Sequence, residues 1–151
     1  MAIPRVGERY RGVEGHSGYL LRQAWQAFRG AMENALRAHG LSGAQYAALG
    51  VLARDPGMSG ADLARASGTT PQAMNGVVVT LERDGLVERR PHATHGRILE
   101  ITLTPEGKRR LDAASPAVRK LERTIEEGLT TDQVAAVKTW LVDAAERLGE
   151  R

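Results

Sequence analysis

The sequence predicts a mainly helical chain with one small β-hairpin, and three observations carry that prediction. Long stretches repeat apolar residues at the spacing of one helix face, as in Leu21, Trp25, Phe28, Met32 and Leu36. Between Ser59 and Arg83, two shorter helical patterns are separated by Gly68, which supplies the backbone freedom for a tight turn. Two short runs then follow, Leu86 to Arg90 and Ile98 to Leu103, on either side of the polar loop Pro91 to Arg97. A helix-turn-helix followed by a hairpin is a winged helix-turn-helix. The 151 residues suffice to bury a core without disulfides or metals, so one main domain is expected from 16 to 151.

Taken in order, residues 1–15 mix glycine, proline and charge, and read as a flexible basic arm able to touch phosphate through Arg5, Arg9 or Arg11. The first helix is expected from Ser17 to His39. The next runs from Ser42, a favourable cap, to Arg54, burying Tyr46, Leu49 and Leu52 before Asp55-Pro56-Gly57 breaks it. Ser59 with Asp62 three residues on reads as a capping-box variant opening the following helix. Thr70 then caps a helix with Pro71 at its first position, where the missing N–H costs nothing. Met74 and Val77 supply its apolar side.

In the second run of the hairpin, Leu99, Ile101 and Leu103 alternate with more polar residues, the pattern of a strand with one buried face. Beyond it, Pro105 to Glu127 carries Leu111, Ala114, Val118, Leu121 and Ile125 on one stripe, interrupted at Pro116, which must delete a backbone hydrogen bond. Thr131 to Leu148 closes the chain, with Thr130 or Thr131 as cap and Val134, Val137, Leu141, Ala145 and Leu148 as its apolar face. No element of the central region is large enough to cover these stripes. Residues 16–40 and 105–151 are therefore expected to pack in a homodimer of two-fold symmetry, around a reading segment at 41–104.

The reading segment points to double-stranded DNA. A recognition helix places its N-terminal residues at base edges in the major groove, which singles out Thr69, Thr70, Gln72, Asn75 and Gly76. Gln72 or Asn75 can pair bidentately with adenine. Thr70, Arg65 and Arg89 are placed to hold phosphates, and Arg97 near the wing tip to enter the minor groove. The charge balance qualifies this. The net charge is +3, yet between Ser59 and Leu103 Arg65, Arg83, Arg89, Arg90 and Arg97 are matched by Asp62, Glu82, Asp84, Glu88 and Glu100. Moderate non-specific affinity follows.

These residues resemble the MarR family of bacterial transcriptional regulators. The resemblance rests on L-S-G-A-Q-Y-A-A-L from Leu41, L-E-R-D-G-L-V-E-R-R from Leu81, and R-I-L-E-I-T-L-T-P-E-G from Arg97, in that order, and covers nearly all of the chain beyond the arm. It implies a repressor of a pseudo-palindromic operator, released by a small aromatic or phenolic effector bound between the dimerisation helices and the reading segment. Trp25 and Tyr46 are the pocket residues to test. One departure is His95, where many members carry Asp two residues before the wing arginine, so the usual Asp–Arg brace of the wing is not expected from this position. His95 is instead expected among the DNA-contacting residues of the wing.

Other chemistry is poorly supported. Cysteine is absent, which excludes disulfides and thiol-based sensing. No glycine-rich phosphate loop, nucleophile elbow or zinc-ligand pattern occurs, so neither an enzyme nor a resident cofactor is expected. His92 and His95 could share a metal, but with no third ligand nearby they read as polar wing residues; His16 and His39 flank the first helix without partners that sequence can place. The paired Glu126 and Glu127 read as a solvated helix end. No apolar run is long enough to span a membrane and no secretory pattern opens the chain, making the cytoplasm the expected location. The rival reading is a winged-helix protein-interaction module without specific DNA binding, suggested by the balanced charge and by Gly76 on the recognition helix.

Overall fold

The computed structural model describes residues 2–149 and divides after Val118 into two compact units. The elements follow the order α1 (Ser17–Leu36), α2 (Gly43–Arg54), α3 (Gly60–Ala66), α4 (Pro71–Arg83), β1 (Val87–Pro91), β2 (Leu99–Leu103), α5 (Pro105–Glu126) and α6 (Thr131–Leu148). The first unit ends within α5, and each unit is described by itself.

Local chemistry sets the helix boundaries. α1 stops at Leu36 rather than continuing to His39, because Arg37–His39 tightens into a 3-10 turn closed by Gly40 in the left-handed conformation. Ser42 and Gln45 form a complete capping box at α2: the Ser42 hydroxyl accepts from the Gln45 amide at 3.1 Å, and the Gln45 side chain accepts from the Ser42 amide at 2.8 Å. Ser59 caps α3 in the same way, accepting from the Asp62 amide at 3.1 Å. The reciprocal half expected there is not made. The shorter Asp62 carboxylate accepts from the Ser59 hydroxyl and not from its backbone amide.

Gly68 turns the chain between α3 and α4 at φ +63°, a left-handed conformation that strains other residues. Thr70 and Pro71 then start α4 as expected, with the Thr70 hydroxyl accepting from the Ala73 amide at 3.2 Å.

The core of the first unit is built by Leu36, Leu49, Leu52, Leu63, Met74 and Leu81, each no more than 1% exposed. Burying a leucine of this kind contributes about 1.5–3 kcal/mol. Tyr46 is only half-buried, and its hydroxyl donates to Ser115 Oγ at 3.2 Å, tying α2 to α5. The stripe of α1 is covered at one end only: Leu36 is fully buried, whereas Trp25 is 54% exposed and Leu21 is also exposed. In the second unit Thr130 caps α6 with a complete capping box, and the apolar residues Val137, Trp140 and Leu141 are exposed.

β1 and β2 pair antiparallel with Val87 opposite Leu103, Arg89 opposite Ile101 and Pro91 opposite Leu99. The hairpin is pinned at Ile101, whose amide donates to Met58 O at 2.8 Å while its carbonyl accepts from the Gly57 amide at 3.0 Å. Sequence reading missed this third, single-residue edge. It also expected Leu99 on the buried face, but only Ile101 is buried there; Leu99 lies beyond the pinned section and is 43% exposed. Ile98 falls outside the strand, and Ile125 of α5 is exposed as well.

Within residues 1–15, expected to be flexible, residues 6–15 form successive turns, and Arg11 donates to Gln23 Oε1 of α1 and to Pro4 O, both at 2.9 Å. Arg11 is therefore engaged within the chain rather than held out toward a phosphate.

The passage from β2 to α5 is closely packed. Thr104 Oγ1 donates to Gly85 O at 2.6 Å and accepts from the Gly107 amide at 3.0 Å, while the Thr104 amide donates to Leu86 O at 3.1 Å. A Cβ on Gly107 would lie 2.0 Å from that same carbonyl oxygen, so the first turn of α5 can pass this point only with glycine at 107. Gly107→Ala should lower stability by about 1–3 kcal/mol, seen as a fall of several degrees in Tm, because the obstacle is backbone and cannot rotate away. An unchanged Tm would contradict this packing.

Candidate nucleic-acid interface

Two faces of α4 do different work. Met74, Val78 and Leu81 are buried, and on the opposite side Gln72, Asn75, Gly76 and Val79 are exposed. Among the described residues, neither the Gln72 nor the Asn75 amide has an intramolecular side-chain partner, so both are available to an incoming ligand. The Thr70 hydroxyl spends a lone pair on capping but keeps its proton to donate. Thr69 is exposed beside it. Val79, which sequence reading did not single out, adds an apolar surface that is 47% exposed.

Between α4 and the wing lies an open cleft of about 360 Å³ bordered by Pro71, Asn75 and Val78 on one side and Arg89, Arg97 and Leu99 on the other. It brings Asn75, Arg89 and Arg97 onto one surface. Arg65 stands apart from this cleft on the exposed side of α3.

The acids matched to these arginines in the sequence are matched in space. Asp62 pairs with Arg65, Glu82 with Arg89 at 2.5 Å, Asp84 with Arg83 at 3.3 Å, and Glu88 with Arg90 at 2.8 Å. Arg97 has no ion-pair partner among the described residues. Arg65 and Arg89, expected from the sequence to hold phosphates, each already hold a carboxylate. The Asp62 carboxyl is held below its ordinary value of 3.8, first by the hydrogen bond from Arg65 and then by that from Ser59. A depressed carboxylate pKa means that the charged pair persists through neutral pH and is lost only as pH falls below the usual carboxylate range.

The wing loop has its own brace. His92 Nδ1 accepts from the backbone amides of Thr94 and His95, at 3.0 and 3.1 Å, and Nε2 lies 3.4 Å from Glu100 Oε1. A nitrogen that accepts twice carries no proton, so the ring proton belongs on Nε2, facing the carboxylate. His95 stacks on His92 with ring centroids 5.4 Å apart and is itself exposed. The loop is thus held from position 92 and not through Arg97, and among the described residues no group of acids and histidines could hold a metal.

Trp25 and Tyr46 are not brought into a common cleft at any of the three described surface hollows, which border the wing, the start of α2 and the end of α5. No helix is long and apolar enough to cross a membrane among the described residues.

Comparison with known proteins decides the family. Residues 39–98 match the sequence profile of the MarR family. The HTH-type transcriptional repressor Rv2887 of Mycobacterium tuberculosis is 36% identical over 132 residues, covering 87% of this chain and 92% of that protein. The chain belongs to the MarR family. The crystal structure of Rv2887 in complex with p-aminosalicylic acid superposes with a TM-score of 0.69 at 33% identity, covering 86% of this chain and 98% of that one. The repressor CouR, bound to a 23-mer DNA duplex, shares the fold with a TM-score of 0.82 at 23% identity, over 91% of this chain and 98% of its own.

In this MarR family wing, His92→Ala should speed hydrogen exchange of the Thr94 and His95 amides by about fivefold, the loss of a hydrogen bond of about 1 kcal/mol. Exchange unchanged at both amides would show that the imidazole does not hold the loop.

Proposed function

We propose that this MarR family protein is a dimeric repressor that reads a pseudo-palindromic operator through α4 and the wing and is released by a small aromatic acid or phenol. The observation that carries the DNA-reading part is the exposed pair Gln72 and Asn75 on a capped helix, with Asn75 on the same cleft as Arg97, none of the three having a side-chain partner among the described residues. Gln72 and Asn75 would take base edges, with Val79 against a thymine methyl. Thr69, Thr70, Arg65 and Arg89 would position the backbone, and Arg97 and His95 would follow the minor groove beyond it. No catalytic step and no cofactor is part of this reading, and the protein would act in the cytoplasm.

The dimer is supported by the apolar residues left exposed on α1 and α6, Trp25 and Trp140 among them. Two-fold symmetry would set the recognition helices about 34–36 Å apart, one turn of the duplex. The effector class is supported by the p-aminosalicylic acid complex of Rv2887. Trp25 and Tyr46 remain the residues proposed to meet it, Trp25 through its exposed ring and Tyr46 through the hydroxyl now given to Ser115. Release requires preference for the conformation that does not bind DNA, and ~100-fold per site corresponds to about 2.7 kcal/mol.

Gln72→Ala should weaken binding of the selected operator by about 1–3 kcal/mol and relax one base position per half-site. Unaltered base preference would remove Gln72 from the readout. Arg97→Ala should weaken all duplexes and make log Kd less dependent on log salt by about one counterion; if affinity and slope both stay fixed, the wing is outside the interface.

A further inference from the structure

The ion pairs of the reading segment need a reason for being there. Arg65 and Asp62 are both largely exposed, and Arg89 and Glu82 are partly so. Exposed pairs contribute little to stability. The fold does not depend on them: each helix is capped by Ser59 or Thr70, and the hairpin is pinned by backbone hydrogen bonds at Ile101. What the pairs do change is the availability of the two arginines. The Asp62 carboxylate occupies Arg65 Nη2, and the Glu82 carboxylate occupies Arg89 Nε on the wall of the α4–wing cleft, so each acid takes a guanidinium donor that a phosphate would otherwise use.

We infer that Asp62 and Glu82 are specificity-determining residues: resident counter-ions that a DNA phosphate must displace from Arg65 and Arg89, and that thereby lower binding to non-cognate duplex. This rests on the reading of α4 and the wing as the DNA-binding surface. A phosphate brought to direct contact by correct base register can replace a carboxylate at equal distance. A phosphate in a loosely docked, non-cognate complex lies farther away and loses to the acid already bound, since the interaction falls with distance and is screened. The same logic explains why Arg97, with no acid beside it among the described residues, is the cation free to make first contact.

The test is a set of double-mutant cycles read by fluorescence anisotropy on a mixed-sequence duplex and on the operator recovered by selection, at about 0.1 M salt. Asp62→Asn keeps the shape of the side chain and removes its charge. It should tighten binding to the mixed duplex by about threefold, steepen the salt dependence by about one counterion, and tighten operator binding less. In an Arg65→Ala background the gain should vanish. No gain on the mixed duplex, or a gain undiminished without Arg65, would overturn the inference, the latter by showing simple repulsion between acid and phosphate. Glu82→Gln with Arg89→Ala gives an independent cycle with the same expected result, so loss of folding in one pair leaves the other decisive, with thermal melts confirming the fold. Failure of the unsubstituted protein to bind any duplex would instead strike the DNA-reading function itself, and this inference with it.

Discussion

The backbone at Leu86 is where the recognition helix, the wing and the long helix α5 are fixed to one another. Its amide donates to Leu81 O at the end of α4 at 2.9 Å, and its carbonyl accepts from the Thr104 amide as β2 passes into α5. The side chain is fully buried, and Gly107 leaves no space above the carbonyl for even a methyl group. Because interiors are close-packed, a shift of α5 cannot be absorbed at this contact and must be passed to α4 or to the hairpin. That gives a physical route by which an event on the helices flanking the reading segment could alter how Gln72 and Arg97 are presented.

Around this fixed point, polar groups are arranged so that few are idle. Ser42, Ser59, Thr70 and Thr104 each accept from a backbone amide at a helix start. His92 satisfies two amides of the wing loop, Arg65, Arg83, Arg89 and Arg90 are each held by a neighbouring acid, and Arg97 has no acid beside it among the described residues. The surface offered to a duplex is therefore nearly neutral in sum but not inert. Among the described residues it presents uncommitted amides for bases, the guanidinium of Arg97 with no acid beside it, and others already held by acids.

Much of this was legible in the sequence, for local reasons. Caps, breakers and apolar spacing act within a few residues, so Ser42, Thr70-Pro71, Gly68 and the stripes of α1 and α4 marked their elements without tertiary information. The exposed amides of Gln72 and Asn75 followed from their place on a capped helix. What could not be read depends on residues far apart in sequence. The Ile101 link to Met58, which decides that Ile101 and not Leu99 is buried, joins segments separated by α3, α4 and β1. The pairing of Glu82 with Arg89 requires β1 to turn back along α4. The sequence showed equal numbers of acids and arginines, but not that four of the arginines are each held by one acid while Glu100 faces His92. The histidine spacing in the wing was visible as well, whereas the use of His92 Nδ1 as an acceptor needed the loop's path.

The central claim is that α4 and the wing of a dimer read sequence in duplex DNA. Selection of binding sites from random duplex DNA by the purified protein, at about 0.1 M salt where phosphate contacts remain effective, tests it most directly. The account predicts enrichment of an inverted repeat whose half-sites lie one helical turn apart. A folded, dimeric and ligand-free protein that enriches no sequence would contradict it.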